Sequence, residues 1–128
     1  MSVELNHTII WCKDKRVSAD FFAWIFGLPE PMDLFRFRVV KLDNGVSLDF
    51  AEKEGAVAAQ HYAMLVSEPE FDGVLARIRE RKLTYWADPA RTIANAINHN
   101  DGGRGVYFKD PDGHVLEALT VPYGGGEG

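Results

Sequence analysis

The 128-residue chain carries one pattern twice, and that repeat restricts the fold more than any single motif. Residues 5–12, LNHTIIWC, lie over residues 59–66, AQHYAMLV, with His7 over His61. Residues 43–51, DNGVSLDFA, lie over residues 111–119, PDGHVLEAL, which puts Gly45 over Gly113 and Asp49 over Glu117. Each half therefore opens on a segment carrying His and closes on one carrying an acid. A half of roughly 55 residues is too small to cover both faces of a sheet, so the halves must pack together, within one chain or by exchange between two.

Local patterns fill in the elements. Residues 3–12 are rich in β-branched residues and read as a buried strand. Asp14 is an N-cap, after which Val17, Phe21, Trp24, Ile25 and Leu28 form the helical stripe, stopped by Gly27 and Pro29. Phe22 and Phe26, core or interface by default, form a second stripe that would also suit a subunit contact. LFRFRVVKL alternates as one strand and VSLDFA follows, with Asn44-Gly45 supplying the positive φ angles of a tight hairpin. In the second half Ser67 and Glu70 make a capping box, and Phe71, Val74, Leu75 and Ile78 line one helix face. LTYWA is a short strand, residues 88–104 a long loop, and GVYFKD and HVLEALT are strands joined at Asp110–Gly113. The order βαβββ, twice, predicts α+β architecture in a single domain, with module 1 about 1–55, module 2 about 56–123 and a flexible tail at 124–128.

Side chains on a strand alternate, so Glu117 shares a face with Val115 and Leu119, His61 with Ala59 and Ala63, and His7 with Leu5 and Ile9. A carboxylate on so apolar a face must be paired, protonated or bound to a cation. If the opening and closing strands of the halves meet, two imidazoles and one or two carboxylates converge, a donor set for a divalent transition metal. Two His and one carboxylate leave positions open for substrate or dioxygen; adding Asp49 closes the set further. His114 sits on the opposite parity and reads as a surface or turn residue.

The paired βαβββ order, the opening LNHTIIWCKDKRVSADFFAWIFGL and the ending GVYFKDPDGHVLEALT resemble the vicinal oxygen chelate superfamily, also called the glyoxalase, bleomycin-resistance and extradiol dioxygenase superfamily. The resemblance implies that the two modules form a cup-shaped mixed sheet with metal ligands at His7, His61 and Glu117, the metal's identity among iron, zinc, nickel, cobalt and manganese left open. It places Asp49 at the optional fourth ligand. One methylene shorter than the Glu of many glyoxalases, Asp49 has three roles open to it: ligation through water, catalysis as a base beside Glu117, or a hydrogen bond to substrate. The implied activity is that of a lyase, isomerase or ring-cleaving dioxygenase acting on a small substrate chelated through adjacent oxygens. Its rival is a metal-free, antibiotic-sequestering protein of the bleomycin-resistance type. A homodimer is the family's usual assembly.

The loop 88–104 offers substrate contacts from Arg91, Asn98 and His99, and its length suits a lid over the cup. Nineteen acidic residues against fourteen Lys and Arg give a net charge of −5, which disfavours a nucleic-acid partner. No run reaches the roughly 18 apolar residues of a membrane span, and the opening MSVELNH lacks a basic start followed by an apolar segment, so a cytoplasmic protein without a membrane partner is expected. The one cysteine, Cys12, has no internal disulfide partner and suits a reducing compartment.

Overall fold

A computed structural model of the chain describes residues 2–124; the glycine-rich tail expected at 124–128 falls, beyond Gly124, outside the described residues. The architecture is α+β, with two four-stranded mixed sheets and two principal helices. The chain divides into two compact units, residues 1–58 and 59–128.

In the first unit β1 (His7–Cys12), α1 (Lys15–Phe26), β2 (Met32–Leu34), β3 (Phe37–Lys41) and β4 (Ser47–Glu52) build a sheet in the order β1-β4-β3-β2. β1 and β4 are parallel and the other pairs antiparallel. Asp14 caps α1 by accepting from the backbone N–H groups of Arg16 and Val17. Gly27, at φ 68°, closes the helix in the left-handed conformation that a side chain disfavours.

The buried face of α1 differs from the stripe read in the sequence. Ser18, Ala19, Phe22, Ala23, Ile25 and Phe26 are buried, whereas Val17 is 53% exposed. The small residues at 18, 19 and 23 let the helix lie close to the sheet, and Phe22 then packs on Phe50 at 6.0 Å between ring centres. Phe22 and Phe26 are thus core of their own unit, not a subunit contact. LFRFRVVKL is likewise not one strand, because Phe35 turns the backbone to φ 55° and folds β2 back on β3. At the next turn only Gly45 takes a positive φ, with Asn44 contributing its side-chain oxygen to the N–H of Val46. Residues 3–6 precede β1 and are not strand. Buried Arg38 bonds Asp20 on α1 and Asp33 on β2 at 3.1 and 3.0 Å, tying the edge strand to the helix.

The second unit repeats the plan with β5 (His61–Leu65), α2 (Glu68–Glu80), β6 (Tyr85–Trp86), β7 (Gly105–Lys109) and β8 (Val115–Leu119), in sheet order β5-β8-β7-β6. Both halves of the Ser67–Glu70 capping box are formed, and Phe71, Val74, Leu75 and Ile78 are the buried face of α2, as their spacing predicts. At the β7–β8 turn the Asp110 carboxylate accepts from the backbone of Asp112 and His114. Burial raises its pKa above the ordinary value. His114 is not at the surface: it is 1% exposed, and its Nδ1 accepts from the N–H of Gln60, fastening the start of β5 to the start of β8. No helix among the described residues is long and apolar enough to cross a membrane.

Candidate metal centre

The functional candidates lie on the sheet faces turned away from each unit's own helix. In the second unit the parallel β5–β8 register sets His61 beside Val115 and Ala63 beside Glu117. His61 reaches diagonally along this face, so that its Nε2 stands 3.1 Å from Oε1 of Glu117, while its Nδ1 stands 2.9 Å from the Val115 carbonyl oxygen. A carbonyl only accepts, so Nδ1 carries the ring hydrogen and donates it to Val115. In the neutral ring Nε2 is then a bare lone pair aimed at a carboxylate oxygen. Two acceptors at that distance need something between them: a proton, on the ring or on the carboxyl, or a metal ion. The fixed Nδ1–H donor is also the usual support of a metal-ligating imidazole. The donors present therefore fit a divalent cation.

In the first unit His7 and Asp49 occupy the equivalent strand positions, with His7 paired to Ser47 and Ile9 to Asp49. Nδ1 of His7 stands 2.7 Å from the side-chain oxygen of Asn6, an acceptor, so in the neutral ring Nδ1 carries the hydrogen and the lone pair lies on Nε2. Asp49 accepts a 2.7 Å hydrogen bond from the Ser47 hydroxyl. The described residues contain no ready-made group of three or more His, Cys, Asp or Glu side chains that could hold a metal ion. His61 and Glu117 form a pair, to which a metal ion would need further donors added.

Tyr107, which the sequence reading did not single out, completes the local arrangement in the second unit. It pairs with Glu117 across the β7–β8 ladder, is 7% exposed, and stacks on the His61 ring at 6.0 Å and 24°. Burial first, then the neighbouring Glu117 carboxylate, push its pKa up to about 12. Tyr107 and Glu117 stand equally far from Asp112 in the turn, so a hairpin reading of that turn would have paired them.

A cavity of about 440 Å³, in the range of small-molecule sites, opens beside this pair; Asn98, Asp101, Arg104 and Tyr123 also line it. Arg104 is already matched by Glu68 at 2.7 Å and Asp72 at 2.8 Å, and its guanidinium lies over the Phe71 ring. The Asn98 amide donates to the Ala87 carbonyl and accepts from the N–H of Asn100, while its backbone pairs with Gly105. Asp88 accepts from Thr92 and Ile93, and Trp86 bridges to Ala94. These bonds fasten loop 88–104 to its own unit. Of its three expected substrate contacts, Asn98 lines the cavity, whereas Arg91, bonded to the Pro89 carbonyl, and His99 do not.

A two-module α+β chain with this His–acid pairing defines the class. Residues 4–118 match the family model of the Glyoxalase/Bleomycin resistance protein/Dioxygenase superfamily, and the chain belongs to that family. Among solved structures, oxidase ChaP-H1 is 56% identical, with a TM-score of 0.94 over 96% of this chain and 99% of its own. Glutathione transferase FosA of Serratia marcescens is 28% identical over 123 residues, 91% of this chain and 80% of the relative. Metallothiol transferase FosB of Shouchella clausii (strain KSM-K16) is 24% identical over 121 residues, 91% of this chain and 79% of the relative.

Proposed function

We propose that this protein is a metal-dependent enzyme in which His61, Glu117 and His7 hold a divalent cation and a small organic substrate is oxidised beside it. The single observation that carries the reading is Nε2 of His61 facing Oε1 of Glu117 at 3.1 Å, with Nδ1 committed to Val115. The Nδ1–Asn6 contact, which in the neutral ring turns the lone pair to Nε2, supports His7 as the third ligand. Oxidation is favoured over isomerisation or group transfer because the relative at 56% identity is an oxidase, while the two transferases share 28% and 24%. Iron suits that chemistry.

When bound, the cation supplies positive charge and open positions for adjacent substrate oxygens. The residues of the chain do the rest. Val115 holds the His61 ring in the tautomer that presents Nε2. Tyr107 stands opposite Glu117 on the neighbouring strand with its ring against His61. The cavity beside Glu117 receives the substrate, and the Asn98 fastening fixes its rim. Asp49, held by Ser47, is a base or hydrogen-bond partner for substrate. The assembly is a homodimer of two copies of a single-domain chain: Trp11 and Leu65, on sheet faces turned away from their own helices, are 43% and 61% exposed and call for cover.

Metal analysis of protein purified without chelators tests the reading. About one equivalent of a transition metal, lost in His61→Ala, is expected. Wild-type protein that takes up no iron, zinc or cobalt near neutral pH would overturn it.

A further inference from the structure

The cavity beside Glu117 takes part of its wall from the loop before β7, through Asp101, and part from the segment that follows β8, through Val121, Tyr123 and Gly124. These two segments are fastened to each other step by step. Arg104 and Thr120 exchange two hydrogen bonds, from the Arg104 N–H to the Thr120 hydroxyl at 2.9 Å and from the Thr120 N–H to the Arg104 carbonyl at 3.0 Å. Gly103 comes so close that an added side-chain carbon would stand 2.6 Å from Thr120 Oγ1 and from a Val121 methyl. Nearer the end of the chain, the Asp101 carboxylate accepts from the Gly124 N–H at 3.1 Å. Asp101 does so from the left-handed region, at φ 57°, where glycine would strain the backbone less. What the position gains from not being glycine is the carboxylate.

The fastening holds Tyr123 in the cavity wall, although the residue is 93% exposed. Aromatic surface held open at a cavity is covered when a ligand fills it. A volume of about 440 Å³ is larger than two chelating oxygens and the atoms bearing them need, so the remainder of a substrate reaches the wall. We propose that Tyr123 is the specificity-determining residue of this cavity: latched by Asp101 through Gly124, its ring lies against the body of a substrate chelated beside Glu117 and selects for a flat, unsaturated one. The inference rests on the metal reading above and adds to it what the substrate carries beyond its chelating oxygens.

Two probes that chelate through adjacent oxygens test it on cobalt(II)-loaded protein: oxalate, which has no ring, and 4-nitrocatechol, which has one and whose visible absorption reports its binding. Tyr123→Ala is expected to weaken 4-nitrocatechol binding about fivefold or more while oxalate, followed by calorimetry, changes by less than about twofold, and Tyr123→Phe, which keeps the ring, to restore the affinity. Asp101→Gly, which relaxes the backbone and cuts the latch, is expected to lose affinity for 4-nitrocatechol alone, and Asp101→Asn, which keeps an acceptor, to regain it. Asp101→Gly protein with wild-type affinity for both probes would overturn the latch. Tyr123→Ala protein that binds both probes like wild type, or weakens on both alike, would overturn the inference and leave the metal reading standing, as would wild-type protein that holds cobalt and binds no 4-nitrocatechol. Wild-type protein that binds no cobalt would end both.

Discussion

The two halves share a backbone plan and differ in what their chemistry-bearing side chains touch. His7 sits beside Ser47 and His61 beside Val115 in the same parallel register, and Gly45 and Gly113 hold the same φ of 88° at equivalent turns. In the second unit the acid meets the imidazole; in the first it meets Ser47. Two substitutions at matched places account for the difference. Glu117 has one more methylene than Asp49 and so can reach His61. Val115 has no hydroxyl where Ser47 has one, so nothing beside Glu117 on its own strand competes for it. One scaffold thus yields a His–acid pair in one half, and in the other an imidazole bonded to Asn6 and a carboxylate bonded to Ser47.

The largest effect expected from this contrast is on the acids. Glu117→Ala should weaken divalent-cation binding at least about 100-fold by calorimetry, beyond the usual loss at an outer-shell position, whereas Asp49→Ala should leave it within about tenfold. Equal losses would make the halves equivalent ligand donors and remove the contrast. Mixing addresses where the third ligand comes from. His7→Ala and His61→Ala proteins should each fail to retain metal. If the cup forms by exchange between two copies, co-refolding them in equal amounts should restore binding in mixed dimers, whereas cups formed within one chain would give no recovery. Val115→Ser, which gives the second half the hydroxyl of the first, should weaken cation binding about tenfold by drawing Glu117 away from His61. Smallest is the backbone test. Gly45→Ala and Gly113→Ala should each cost about 1–2 kcal/mol in denaturant unfolding, since both sites have open space and the same left-handed strain. A large disparity would show that the matched turns are not energetically alike.

The repeat, the capping box, the face of α2 and the placement of His and acid on opening and closing strands were legible because each depends on spacing along the chain. The face of α1 was not, because helical periodicity in an all-round apolar segment does not say which stripe lies against the sheet; small residues at Ala19 and Ala23 decided it. The break between β2 and β3 depends on the single backbone angle of Phe35, which no alternation pattern reveals. Tyr107 and the Val115 carbonyl escaped for a different reason. They act across strands, and cross-strand neighbours emerge only once register is known. The buried place of His114 has the same origin, since its partner Gln60 lies 54 residues away.

The most direct test of the central claim is a two-bond ¹H–¹⁵N correlation spectrum of the histidine rings, recorded before and after one equivalent of zinc. Metal-free protein above the imidazole titration range should show His7 and His61 protonated at Nδ1 and bare at Nε2, and zinc should shift both Nε2 signals while Nδ1 keeps its hydrogen. Rings that carry hydrogen on Nε2, with signals indifferent to zinc, would contradict it.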